Sequence, residues 1–220
     1  MHKTWQVVTT LLGFFVLLTI TTHFRLWQSF DWETLIALQS ALPRVVDAPF
    51  SILTLLGSAE FTGVIFLVLV LLAPAKQRLP LVLAFGLATL IELAGKTWIN
   101  QPTTPHDLVR YISFLELTVS AKVNPQFSYP SGHALRTIFI VIVLANLIAT
   151  SRLHRNTKYG LYATLGAFEI GMLISRVYLA EHWTTDVIGG VILGAAFALG
   201  AIDLQIPLRK FLSSKPFDNS

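Results

Sequence analysis

Six apolar runs, each bounded by charges, Pro or Gly, set the first constraint on this chain. They extend from about Trp5 to Thr22, Phe61 to Ala73, Pro80 to Gly95, Ala134 to Ala149, Tyr159 to Ser175 and Trp183 to Leu204. A helix needs about 20 mainly apolar residues to cross a hydrocarbon core, and these runs approach or reach that length. With 54% hydrophobic and only 13% charged residues, a chain of 220 residues is too apolar for a soluble domain. The expected fold class is all-α, a polytopic membrane bundle of six transmembrane helices. One membrane domain accounts for residues 1–220, with a polar cytoplasmic tail from about residue 207.

Lys3 ahead of an apolar stretch has the look of a signal peptide, but no small-residue cleavage site follows Ile20. The first run is therefore expected to remain as an anchor. The absence of Cys removes disulfides and thiolate metal sites. With the N-terminus in the cytoplasm, nine of the sixteen basic residues fall on the inner side, among them Lys76, Arg78, Arg152, Arg155 and Lys158 in short loops. Lys122 falls on the outer side. The positive-inside bias then puts both termini in the cytoplasm, in a plasma (inner) membrane. Orientation and anionic headgroups account for the net charge of +4, so no nucleic-acid partner is expected. Between the first two runs, Asp31 is placed to cap an interfacial helix from Trp32 to Leu42.

Ionisable residues are costly within a membrane and become functional candidates where several converge. Counting the crossings brings four helix ends to the outer face, which makes the connecting loops the extracytoplasmic catalytic part of the fold. Lys96 ends the third run, Pro130-Ser131-Gly132-His133 precedes the fourth, Ser175-Arg176 ends the fifth, and His182 with Asp186 opens the sixth. Ser131 and Gly132 stand at a helix N-terminus, where backbone N–H groups and the dipole favour a phosphate. Lys96 and Arg176 supply positive charge for a phosphoryl group. His182 and Asp186 share a helix face, so the carboxylate can hold one ring nitrogen protonated and leave the other to attack phosphorus. His133 is then the general acid for the leaving alkoxide. Glu92 and Glu169 read as salt-bridge support for Lys96 and Arg176, and no set of carboxylates, including Asp107 and Glu116, converges with the histidines as a divalent-metal site would require. Gly190 and Gly194 read as a close packing pair, with a homodimer through them as the alternative. Trp98 and Trp183 read as aromatic-belt residues.

Tyr129-Pro130-Ser131-Gly132-His133 and the stretch Ser175-Arg176-Val177-Tyr178-Leu179-Ala180-Glu181-His182-Trp183-Thr184-Thr185-Asp186 resemble the second and third signature motifs of the type-2 phosphatidic acid phosphatase superfamily, the lipid phosphate phosphatases. The resemblance covers nearly the whole chain. It implies His182 as nucleophile, Asp186 as its orienter, His133 as general acid, and Lys96, Ser131, Gly132 and Arg176 as phosphate ligands. It also implies a phosphohistidine intermediate with no metal and no cofactor. The substrate would be a lipid phosphate such as phosphatidate, phosphatidylglycerophosphate or a polyprenyl pyrophosphate, met within the bilayer. A phosphotransferase using the same histidine, or a silent lipid-phosphate binding or transport protein, are the alternatives.

The first motif departs from the family pattern. Seven and eight residues after Lys96, where the family carries Arg-Pro, stand Thr103 and Thr104, with Pro105 one place further. Arg136, three residues after His133, is the first candidate to replace the missing guanidinium, and Arg110 the second. In the alternative placement Arg136 snorkels to the interface or pairs with Glu169.

Overall fold

The computed structural model describes residues 2–112 and 126–213; Glu116, Lys122 and the tail beyond Ser213 lie outside the described residues. The described residues form eight α-helices, two short 3-10 turns and no strand. The helices are α1 (His2–His23), α2 (Gln28–Ala41), α3 (Asp47–Leu55), α4 (Ala59–Leu72), α5 (Ala75–Trp98), α6 (Gly132–Thr150), α7 (Arg155–Tyr178) and α8 (Thr184–Ser213). The 3-10 turns are Arg44–Val46 and His106–Leu108.

Among the described residues, four helical stretches are long and apolar enough to cross a membrane: Lys3–His23, Gln77–Trp98, Gly132–Thr150 and Thr184–Leu204. Arg44–Leu55 and Ala59–Leu72 make a fifth if counted together, with a bend of 45° between them. The run expected from Phe61 to Ala73 is thus the second half of a broken element. The break is local: Ser58 is extended, and its hydroxyl accepts the N–H of Phe61 at 3.4 Å to open a new helix. The fifth expected span, now α7, has 24 residues but is less apolar than the other spans, with Glu169 and Arg176 buried in it. α5 starts at Ala75 and runs through Pro80 instead of beginning there. Arg78 folds back and donates to the carbonyls of Ala73 and Leu71 at 3.0 and 2.9 Å, satisfying the exposed C-terminal acceptors of α4.

α8 is the centre of the bundle, packed on α1, α5 and α6. A Cβ at Gly190 would run into the Ser131 carbonyl, and one at Gly194 into the Leu135 carbonyl and, at 2.6 Å, into Ile138. In lipid there is no water to expel between helices, so close van der Waals approach of this kind carries the packing. The Gly190–Gly194 face is filled by α6 within the chain, which closes the route to a homodimer through it. Leu135 and Leu193 are fully buried along the same seam.

Asp31 has a different part from the one its position suggests. Trp27 occupies the N-cap position of α2, without a side-chain cap, and Asp31 lies in the first turn, 1% exposed. Its carboxylate crosses to α8, where it accepts the Thr185 N–H at 2.8 Å and the Thr185 hydroxyl at 2.7 Å, and it also accepts Gln101 Nε2 at 3.0 Å. α2 therefore caps the helix that carries Asp186. Asp31→Ala is expected to lower stability by about 1–3 kcal/mol, because it strips a cap and takes an acceptor from three buried donors. Thermal unfolding in detergent measures it, and an unchanged midpoint would show the cap to be dispensable.

Candidate active site

The turn after α7 sets the interval between Arg176 and His182. Leu179 is the C-cap, and Ala180 follows in the left-handed region at φ 54°. The Ala180 N–H donates to the Val177 carbonyl at 2.9 Å, and the N–H groups of Glu181 and His182 donate to the Arg176 carbonyl at 3.1 and 3.2 Å. This is a Schellman closure with alanine where glycine is usual, at a cost of about 1–2 kcal/mol. The methyl group has a compensating place, fully buried among Leu35, Ala134, Val177 and Trp183. The closure returns Glu181 over the last turn of α7, where it forms an ion pair with Arg176 Nη1.

His182 then lies one residue before Trp183, the residue ahead of α8. Asp186, fully buried in the first turn, turns Oδ2 back to accept the Trp183 N–H at 3.0 Å and faces His182 Nδ1 at 3.2 Å. One oxygen thus caps the helix and orients the ring. Burial holds the proton affinity of His182 well below the ordinary histidine value, and the positive charges of Arg176, Lys96 and Arg136 push the same way. The ring is accordingly neutral at neutral pH, and Nε2 keeps a free lone pair once Nδ1 carries the proton facing Asp186.

The opposite wall is the start of α6. Ser131 is its N-cap: the hydroxyl accepts the Ala134 N–H at 3.5 Å, while the Ser131 N–H donates to the Asp186 carbonyl at 2.9 Å. Ser131 therefore ties α6 to α8, and the N–H groups of Gly132 and His133, which have no intrahelical acceptor, point out of the helix end. Gly95 allows this approach from α5, since a Cβ there would lie 2.6 Å from Pro130 Cδ. Gly132 is needed for a second reason. A Cβ on it would collide with Glu92 Oε1 and lie 2.6 Å from Arg136 Nη1.

Glu92 bridges two cations, Lys96 Nζ at 2.6 Å and Arg136 Nη1 at 3.2 Å. Arg136 thus pairs with Glu92 and not with Glu169, whose Oε1 accepts the Thr137 hydroxyl at 3.2 Å. Arg176 Nη1 also touches the Thr54 hydroxyl of α3. The Nε atoms of Arg136 and of Arg176 are both buried without a hydrogen-bond partner. Two unmatched guanidinium donors, one near the start of α6 and one at the end of α7, suit an anion. His133 lies within electrostatic reach of His182, Arg176, Arg136 and Lys96, and its ring abuts the break between α3 and α4, where a Cβ on Gly57 would lie 2.8 Å from Cδ2.

The remaining sequence candidates are placed elsewhere. Arg110 Nη1 donates to the Tyr178 hydroxyl at 2.9 Å, with its guanidinium carbon 5.1 Å from that ring, so it is committed to the end of α7. Thr103 is exposed, and the Thr104 hydroxyl donates to the Ala180 carbonyl, bracing the turn ahead of His182. Trp98 is 74% exposed, whereas Trp183 is buried and donates Nε1 to the Pro102 carbonyl at 2.7 Å, a fixed part of the site wall and not a belt residue. Asp107 lies in the exposed His106–Leu108 turn, and no three His, Asp or Glu among the described residues are grouped to hold a metal ion. Sequence reasoning missed Thr54 and Gly57. The available signal for α3 was the polar set Asp47, Ser51 and Thr54, four and three residues apart, which forms one buried face against α7.

Known proteins resemble this chain in sequence and in fold. The chain is 30% identical over 116 residues to phosphatidylglycerophosphatase B of Bacillus subtilis, covering 52% of this chain and 51% of the relative. It is 28% identical over 148 residues to undecaprenyl-diphosphatase of Sulfolobus acidocaldarius, covering 66% and 64%. The chain thus spans between about half and two thirds of the length of these curated relatives. Its fold is similar to the crystal structure of a transmembrane PAP2-type phosphatidylglycerolphosphate phosphatase from Bacillus subtilis, with a TM-score of 0.66 at 23% identity over 96% of this chain and 98% of the other. The PAP2 superfamily model matches residues 77–208, which hold Lys96, His133, Arg176, His182 and Asp186, and with more than half of its length matched the chain is an integral membrane protein that belongs to the PAP2 superfamily.

Proposed function

We propose that this protein hydrolyses a phosphate monoester or pyrophosphate of a membrane lipid, through a phosphohistidine on His182. The observation that carries the proposal is the His182–Asp186 pair at the start of α8, set among Lys96, Arg136 and Arg176 with His133 across from it. The phosphoryl group is held by the N–H groups of Gly132 and His133 and by the free edges of the guanidinium groups. Nε2 of His182 attacks phosphorus while Asp186 keeps the Nδ1 proton in place and stabilises the charge that develops on the ring. As the P–O bond breaks, its electron pair leaves with the lipid oxygen, which takes a proton from His133. His133, now a base, removes a proton from water; the water oxygen attacks phosphorus, the P–N bond breaks, and inorganic phosphate leaves with His182 restored.

The membrane arrangement belongs to the same proposal. The chain crosses six times, with the bent α3–α4 pair as one crossing and the more polar α7 as another, shielded by the helices beside it. Both termini face the cytoplasm of a plasma (inner) membrane and the site opens outside, where a headgroup can reach it while the acyl or isoprenyl chain stays in lipid. Phosphate release by purified protein from phosphatidate, phosphatidylglycerophosphate and a polyprenyl pyrophosphate tests the function. Release from none of them at micellar concentrations well above typical KM values would overturn it.

The site's carboxylates are already committed to protein partners, Glu92 to two cations and Asp186 to His182. Positive side chains thus do the work that a divalent ion does elsewhere. Turnover is expected to be unchanged in excess EDTA. A loss restored by added magnesium or zinc would contradict the mechanism.

A further inference from the structure

We propose that Glu181 determines specificity at the phosphate site, biasing it toward lipids with a single phosphate monoester over lipids with a diphosphate. The inference rests on the lipid-phosphatase reading above and narrows its substrate class.

The position of Glu181 is imposed by the chain. In a Schellman closure the residue two beyond the C-cap returns over the last helical turn, and here it brings a carboxylate to the guanidinium of Arg176. Apolar residues usually meet at these two places, so the ion pair is a particular of this sequence. Glu181 and Thr54 both contact the Nη1 atom of Arg176, while the buried Nε has no partner. A phosphoryl group therefore takes the other edge of the guanidinium, and Glu181 need not leave when it binds. Its negative charge stays one guanidinium width from the substrate throughout the reaction.

The balance of charge decides which substrate this favours. Among the described residues lining the site, Lys96, Arg136 and Arg176 oppose Glu92, Glu181 and, because His182 is neutral, also Asp186, which leaves no net positive charge. Thr103 is exposed and adds no charge. A phosphate monoester carries about −1.5 to −2 at neutral pH. A diphosphate adds roughly one more negative charge to be held in the same cavity, where low dielectric magnifies the mismatch. Removing Glu181 restores one unit of positive charge without touching the nucleophile, its orienter or the acid.

Purified wild type and Glu181→Gln are compared in mixed micelles on phosphatidate and diacylglycerol diphosphate, which share one lipid body. The wild type is expected to show the higher kcat/KM on the monoester. In Glu181→Gln the diphosphate-to-monoester ratio of kcat/KM is expected to rise at least tenfold, about 1.4 kcal/mol. Glu181→Asp, which keeps the charge, is expected to stay near the wild-type ratio. A ratio unmoved in Glu181→Gln, or a wild type that prefers the diphosphate, overturns the proposal. Should the glutamine variant fail to fold, calorimetric binding of inorganic phosphate and pyrophosphate to wild type decides instead, with tighter pyrophosphate binding as the overturning result. A wild type that hydrolyses neither lipid yet binds phosphate more tightly than pyrophosphate would sink the phosphatase reading and leave the charge preference standing.

Discussion

His182→Ala is expected to abolish turnover while the protein still inserts, folds and binds vanadate, since the change removes the attacking atom and spares the cations. Neither Lys96, Arg136 nor Arg176 is anchored through the imidazole: their partners are Glu92, Glu181 and Thr54. Residual turnover above a tenth of wild type, a barrier change below about 1.4 kcal/mol, would rule His182 out as nucleophile. His133→Ala acts on the leaving group instead. It is expected to slow phosphoenzyme formation strongly from a lipid alkoxide and much less from an activated aryl phosphate, whose leaving group needs little protonation. Equal losses on both substrates would take the general-acid role away from His133.

Arg136→Ala is expected to lower turnover by one to three powers of ten, about 1.4 to 4 kcal/mol. The structure sharpens the reason. Arg136 is held by Glu92 through Nη1 at the N-terminus of α6, and its Nε is buried without a partner, so part of the guanidinium is free for a phosphoryl oxygen. If its task were only to neutralise Glu92, the paired change Glu92→Gln with Arg136→Met would recover activity, since both charges then leave together. The double variant is expected to remain impaired, and Thr103→Arg to restore part of the loss from Arg136→Ala. A folded, fully active Arg136→Ala would mean that Lys96 and Arg176 suffice.

Much of the site can be read from the chain because charged residues stand out against an apolar background. Lys96, His133, Arg176, His182 and Asp186 each sit at the end of an apolar run, and counting crossings brings those ends together. Partners across helices are another matter. Glu92 is four residues from Lys96 and 44 from Arg136, and only the packing of α5 on α6 shows that one carboxylate serves both. Asp31 has the spacing of a cap for its own helix but caps α8, because an acceptor at the start of one helix can turn to any N-terminus within reach. Helix limits fail for a similar reason. Hydropathy registers the apolar half of the bent α3–α4 pair and misses α3, whose polar face is satisfied by α7. Trp183 illustrates the same limit, since burial against the Pro102 carbonyl depends on a loop whose path no periodicity encodes.

The closure at Ala180 acts as a ruler. The distance between the guanidinium of Arg176 and the imidazole of His182 is measured out by hydrogen bonds from Ala180, Glu181 and His182 back to α7, not by the side chains in between. Residues 177 to 179 are therefore free to change in kind so long as they pack, and residue 180 only to one that tolerates the left-handed region, while their number is fixed. One residue more or fewer would rotate His182 off the face that Asp186 occupies and carry it away from Lys96, Arg136 and Arg176. The signature is accordingly a count before it is a composition, which is why so short a pattern can be recognised in a chain whose other residues answer mainly to the surrounding lipid.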